Sequence, residues 1–207
     1  MKPDFISDKN PLVLASASPR RRRLLEQINI PFLCIPSGEE EDYIKGKPSR
    51  VARFFAEKKA KAVYPDSGKR WVLGADTIVV CRDIILGKPV DYEDAVRMLD
   101  LLSDRRHKVI SGFCLVDPHG KKAFLDHETT RVKMKALSPK EIDGYVKTGE
   151  PFGKAGGYAV QGIGSFMIER VSGSYSNVVG LPLCAVVRAL INVGALERFP
   201  FPIEMGT

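Results

Sequence analysis

The sequence predicts an α/β protein with a mixed sheet. Short apolar runs rich in β-formers alternate with stretches of helical periodicity, which is the pattern of strand–helix units. A long hairpin is inserted among those units, and a hairpin supplies antiparallel strands. No repeat, low-complexity segment or long linker divides the chain, so its 207 residues are expected to form a single domain over residues 1–207, large enough for two lobes to share a cleft.

The elements follow in order. The run 12–15 is a short strand. Ser18 and Pro19 open a helix, serine as N-cap and proline at the first helical position. A strand is expected at 32–35, followed by an acidic loop, Gly38-Glu39-Glu40-Glu41-Asp42. Ser49 is expected to cap a second helix reaching Tyr64, with Val51, Phe54, Phe55 and Ala62 on its apolar face. Residues 71–75 and 78–81 read as strands on either side of Asp76-Thr77, and 91–102 as a helix. Runs 108–116 and 123–135 flank the turn Asp117-Pro118-His119-Gly120. Ser138-Pro139-Lys140-Glu141 is a capping box opening a helix that ends near Gly149. A glycine-rich stretch, 153–164, leads to a strand at 165–171, and 182–193 is the last helix, closed by Gly194.

Composition narrows the function. The chain is 44% hydrophobic and 28% charged, ordinary for a globular enzyme. No apolar run approaches the roughly 18 residues of a membrane span, and the first ten residues hold no apolar leader core, so a cytosolic location is expected. Four widely spaced cysteines, Cys34, Cys81, Cys114 and Cys184, sit in apolar settings and are expected as small buried residues. The net charge of +7 fits an anionic partner. Nucleic acid and a small phosphorylated substrate both satisfy it, although the basic residues form no block of five or more and few aromatics interleave with the arginines.

"LASASPRRRRLLE" gives that charge a location. Strand, serine turn and helix start form an anion site before any arginine is counted, because the first N–H groups of a helix point outward and its dipole favours negative charge there. Ser16 and Ser18 add hydroxyls. Arginines at this end oppose the dipole, so an anion is expected to offset them. Four consecutive arginines span more than a turn, which places Arg20 and Arg21 toward the cleft and Arg22 or Arg23 toward solvent. In "WVLGADTIVV" an aspartate lies between apolar runs, where a carboxylate is costly unless it is paired or holds a metal. Asp76 therefore suits activation of water or ligation of a divalent cation. Lys58 in "AEKKA", Lys88 in "LGKPV" and Lys154 in "FGKAGGY", together with Arg20 and Arg21, are enough cations to surround a triphosphate. The acidic loop reads equally as a cation site or a solvated charge run. His107, His119 and His127 have no metal-ligand spacing, and no Walker A or G-x-G-x-x-G pattern follows a strand.

These segments together resemble the Maf family of nucleoside triphosphate pyrophosphatases. Ser16, Ser18, Arg20 and Arg21 are similar to its S-x-S-x-R-R signature, and "AEKKA", "GADTIV", "GKP", "KAGGYAVQGIG" and "VSGSYSNVVGLPL" resemble its later segments, in order, over roughly residues 11–193. The resemblance implies two lobes around a central cleft, related to the inosine triphosphate pyrophosphatase fold, and cleavage between the α- and β-phosphates. Arg20, Thr77 and Gln161 match the positions that mark members acting on dTTP and UTP. It also implies Mg²⁺ or Mn²⁺ held by Asp76 and an acidic-loop residue, Glu41 being favoured over Glu40, phosphate binding by Ser16, Arg20, Arg21, Lys58, Lys88 and Lys154, and a homodimer. A house-cleaning role on modified pyrimidine triphosphates fits the same chemistry. The rival from another class is a nucleic-acid-binding regulator using the basic surface.

Overall fold

The computed structural model describes residues 5–39 and 46–200. Among these, seven strands form one mixed sheet: β1 (Leu12–Leu14), β2 (Phe32–Cys34), β3 (Val72–Cys81), β4 (Ile84–Leu86), β5 (Arg106–Val116), β6 (Lys122–Met134) and β7 (Ile168–Ser172). Their order is β2-β1-β3-β5-β6-β7, with β4 beside β3. β1 runs parallel to β2 and β3, and the remaining pairs are antiparallel. The helices are α1 (Pro19–Gln27), α2 (Pro48–Val63), α3 (Tyr92–Leu102), α4 (Pro139–Lys147), α5 (Tyr175–Val179) and α6 (Leu183–Asn192).

One edge of β3 positions everything that follows. β5 pairs with β3 from Val72 to Val80. On the opposite edge β1 reaches only Val72 and Leu73, and β4 begins at Val79. Gly74 to Ile78 therefore have no strand partner on that side among the described residues. A cleft opens in this interval, and Asp76 lies in the middle of it.

The two faces of β3 are packed differently, because side chains alternate along a strand. Gly74 and Asp76 face α2. Gly74, and Gly112 opposite Asp76 on β5, let the helix backbone lie flush on the sheet: a Cβ at Gly74 would overlap the Ala56 carbonyl, and one at Gly112 the Ala52 carbonyl. The helix answers with Ala52, Ala56 and Ala60, all fully buried. On the other face, two apolar clusters flank a polar gap. Leu73 and Ala75 belong to the cluster with α1 and α6, and Val79 and Cys81 to the cluster with α3 and α4. Between them Thr77 meets Ser111, its cross-strand partner, hydroxyl to hydroxyl at 2.8 Å. The expected pair of lobes is this division of one sheet face.

Gly112→Ala is accordingly expected to be severe for so small a change. The added methyl meets backbone, which cannot rotate away, so destabilisation should reach about 3 kcal/mol, the upper part of the usual overpacking range. For a chain of this length that lowers Tm by roughly 6–12 °C. A melting curve within a degree of wild type would mean that α2 does not rest on β5 as described.

Several expectations are corrected. Helix α2 starts at Pro48 with Lys47 as its cap residue, because proline already has the fixed φ that a first helical residue needs; Ser49 lies inside the first turn. Phe54 and Ala62 are exposed, and the buried stripe is Ala52, Phe55, Ala56, Lys59, Ala60 and Val63. The strands expected around Asp76-Thr77 are one continuous β3, since both residues keep their backbone pairing with β5 and find side-chain partners elsewhere. Residues 163–167 form a 3₁₀ turn and not a strand, tied locally by Ser165 donating from both N and Oγ to the Gly162 carbonyl. Cys81 and Cys114 are buried, whereas Cys184 is exposed on α6. No helix among the described residues is long and apolar enough to cross a membrane.

Candidate active site

The cleft has a volume of about 500 Å³, within the range of small-ligand sites. β1 delivers the chain to one wall. After Leu14 the strand ends, Ser16 Oγ accepts from Ser18 N at 3.2 Å, and the Ser18 hydroxyl accepts from Arg21 N at 3.5 Å as the cap of α1. Ala15 through Arg21 thus line the cleft, with the N-terminus of a nine-residue helix opening onto it.

Helical phase separates the four arginines. Arg21 is only 9% exposed, Arg20 is half-buried, and Arg22 and Arg23 face solvent. Arg21 is a clamp. Its Nε donates to the Gly180 carbonyl at 2.9 Å, its Nη1 to Ser16 Oγ at 3.1 Å and its Nη2 to Thr77 Oγ1 at 3.2 Å. Thr77 in turn donates to or accepts from Ser111 at 2.8 Å and approaches the Gly180 carbonyl at 3.2 Å. The hydroxyl of Thr77 is therefore engaged within the protein. Ser111 Oγ also reaches the carbonyl of the fully buried Asn177 at 3.4 Å, and the Asn177 Nδ2 hydrogens are shared among the carbonyls of Val109 and Glu128 and Thr130 Oγ1.

At the open edge of β3, Asp76 is 3% exposed and receives Lys59 Nζ on Oδ1 at 2.6 Å. Lys59 is itself 6% exposed and comes from the face of α2 that lies on Gly74 and Gly112. This close helix–sheet contact is what carries a lysine to the depth of the carboxylate. Lys58 pairs with Glu39 Oε2 at 2.6 Å, and the α2 lysine that lines the cleft is Lys59.

The opposite wall comes from the glycine-rich stretch. Lys154, Tyr158 and Gln161 line it, and Lys88 follows β4 onto the rim. Arg20 reaches across, Nη2 to the Gly153 carbonyl at 3.3 Å. Burial holds the Arg20 guanidinium below its ordinary pKa; burial first and nearby Arg20 second lower that of Lys154. Two cations that burden each other in a partly buried wall are stabilised by an anion between them. Tyr158 is anchored by its hydroxyl, 2.7 Å from His107 Nε2, and burial pushes His107 down to about 4, so this imidazole is neutral near pH 7.

The motif segments thus converge on one cleft in the order the family has them, and the family model described as Maf-like protein matches residues 11–193. The chain belongs to the Maf family. Its relatives include the dTTP/UTP pyrophosphatase of Ruminiclostridium cellulolyticum, 51% identical over 174 residues, which are 83% of this chain and 90% of that protein. The dTTP/UTP pyrophosphatase of Syntrophotalea carbinolica is 49% identical over 191 residues, 91% of this chain and 87% of that one. A solved structure of a nucleoside-triphosphatase, dITP/XTP pyrophosphatase, from Mycobacterium abscessus is a distant likeness. It is 15% identical with a TM-score of 0.42, over 90% of this chain and 98% of the other.

Of the Maf residues expected from sequence, the cleft brings together Ser16, Arg20, Arg21, Asp76, Thr77, Lys88, Lys154 and Gln161. Glu40 and Glu41 lie outside the described residues. Among the described residues no three acidic, histidine or cysteine side chains gather as a metal cage. The donor set still fits a hard divalent cation. Such ions are commonly held by one or two carboxylates together with substrate phosphates, and Asp76 and Glu39 both line the cleft. Lys59 and Tyr158 were not anticipated, and Glu39 was anticipated only as a member of the acidic loop. The signal for Lys59 was its place in the stripe of Phe55, Ala56, Ala60 and Val63, at i+4 from Phe55.

Proposed function

We propose that this cleft binds dTTP and UTP and hydrolyses them to the nucleoside monophosphate and pyrophosphate. The observation that carries the proposal is the buried Lys59–Asp76 pair at the base of a cleft rimmed by Arg20, Lys88, Lys154 and the start of α1. A carboxylate is set there among groups suited to polyphosphate. Relatives at about half identity bear the name of this activity.

In the reaction, water attacks the α-phosphorus in line, the bond from that phosphorus to the bridging oxygen breaks, and pyrophosphate leaves. Asp76 has two compatible roles, accepting the proton of the attacking water and ligating a cation; Lys59 holds its carboxylate in place through the 2.6 Å contact to Oδ1. Mg²⁺ or Mn²⁺ would be held by Asp76 and the phosphates, with Glu39 on the same cleft, and would neutralise charge on the nucleotide. Arg20, Lys88 and Lys154, with the helix N-terminus and Ser16, bind the phosphates and offset the charge that moves onto the leaving group. Arg21 and Thr77 act by holding this wall rigid: Arg21 donates to Ser16 Oγ, the Gly180 carbonyl and Thr77 Oγ1, and the Thr77 hydroxyl meets Ser111 and the Gly180 carbonyl. Gln161 reads the base: an amide presents both a donor and an acceptor to a pyrimidine edge. Modified pyrimidine triphosphates share that edge, which fits house-cleaning of a cytoplasmic nucleotide pool. The polyanion reading has no comparable support, because the basic residues that are brought together surround a bounded cleft.

Gln161→Glu tests the base contact. It is nearly isosteric and sets a carboxylate against a base carbonyl. Gln161 is exposed in the open cleft; once a base covers it, a group left unpaired costs roughly 1–3 kcal/mol, so kcat/KM for dTTP and UTP should fall about 5- to 150-fold, with smaller losses for GTP. An equal loss on dTTP, UTP, CTP and GTP at unchanged Tm would remove Gln161 from base recognition.

A further inference from the structure

The segment carrying Gln161 is fixed at both ends by side chains that precede it in sequence. Glu150 lies just beyond α4. Its carboxylate accepts three hydrogen bonds: Oε1 from Ile163 N at 3.0 Å, and Oε2 from Gly164 N at 2.7 Å and from the Tyr145 hydroxyl at 2.9 Å. The same Tyr145 hydroxyl accepts from Ala159 N at 3.2 Å. Ala159 and Ile163-Gly164 are thus pinned to one Tyr145–Glu150 unit. Val160, Gln161 and Gly162 bridge the interval. Gly162 sits at φ +88°, and a Cβ there would overlap Glu150 Oε1, so the loop is wrapped tightly over the carboxylate.

The unit also reaches the phosphate end. The Glu150 backbone carbonyl accepts from Lys154 Nζ. Burial works against the charge of Glu150, but the Gly164 N–H, Tyr145 O–H and Ile163 N–H bonds, with Lys154 nearby, prevail and hold its carboxyl below the ordinary range. An ionised carboxylate is acceptor-only, which suits a group facing three donors.

We infer that Glu150 is the positioning residue for nucleobase recognition: its carboxylate sets the loop that presents Gln161 to the cleft. The inference rests on Gln161 being the base contact. Glu150 does not line the cleft and acts through the backbone of Ile163 and Gly164.

Glu150→Gln keeps the shape and replaces one acceptor oxygen with an NH₂, which then faces a donor already in place. KM for dTTP and UTP should rise about tenfold, the scale of one lost hydrogen bond to a charged group, with kcat within about threefold of wild type and little change for GTP. Tyr145→Phe leaves the carboxylate on its two backbone donors but also leaves the buried Ala159 N–H without its acceptor; a KM rise of about tenfold, again confined to dTTP and UTP, is expected. Gln161→Ala and the Glu150→Gln, Gln161→Ala double variant complete the set. If Glu150 works through Gln161, the double variant discriminates no worse than Gln161→Ala alone. Additive losses, or a fall in kcat shared by all nucleotides, overturn the inference. If Gln161→Ala leaves discrimination intact, the base-contact reading itself fails. If Gln161→Ala abolishes discrimination while Glu150→Gln and Tyr145→Phe keep it, only the role of Glu150 fails.

Discussion

Asp76→Asn is expected to lower kcat about 100-fold or more, the scale of a lost acid–base group, while binding of a non-hydrolysable dTTP analogue stays within about threefold. The reason is geometric. Asn keeps the shape and can still accept from Lys59, whose Nζ sits 2.6 Å from Oδ1, so the buried pocket does not collapse. What is lost is the negative charge at the open edge of β3. A Mn²⁺ titration of the variant separates the two roles: a right-shifted metal dependence marks a ligand, and an unshifted one marks a proton acceptor. Turnover within threefold of wild type would take Asp76 out of the chemistry.

The second large effect concerns adjacent lysines. Lys59→Ala leaves Asp76, 3% exposed, without its ion-pair partner. Breaking a buried pair from one side costs about 3–5 kcal/mol, and access from the cleft favours the lower end. Activity should fall at least tenfold as well, because the carboxylate is no longer held. Lys58→Ala removes a partner of Glu39 in which the lysine side chain is 37% exposed. Exposed pairs contribute about 1 kcal/mol or less, so Tm should shift by no more than a few degrees and activity should change little. Denaturation curves and kcat/KM for both variants check this. Equal losses would mean that the helix phase assigned to α2 is wrong.

The contrast between these lysines shows what was legible in the sequence. The placing of the capped start of α1 on the cleft was, because strand, serine turn, cap and arginines are contiguous and local geometry alone aims Arg20 and Arg21 inward. Asp76 was legible through its cost: a carboxylate within an apolar run requires a partner. The partner was not legible. Whether Lys58 or Lys59 faces the sheet depends on how α2 is rotated, and that is set by Gly74 and Gly112, distant in sequence. Taking Phe54 for a buried residue gave the wrong face. Glu150 carried no signal, since its ligands include backbone N–H groups that almost every residue has. The continuity of β3 was hidden for a related reason. Asp76 and Thr77 read as a break, yet cross-strand pairing with Gly112 and Ser111 keeps them in the ladder. The two-lobe division came from the family resemblance, and its physical counterpart is the polar Thr77–Ser111 contact between two apolar clusters.

The most direct test of the central claim is hydrolysis of dTTP in heavy-oxygen water with Mg²⁺ or Mn²⁺, followed by mass analysis of both products. Attack at the α-phosphorus predicts equal amounts of dTMP and pyrophosphate, with the heavy oxygen in dTMP and none in pyrophosphate. Formation of dTDP and inorganic phosphate, or label in the pyrophosphate, would contradict the account.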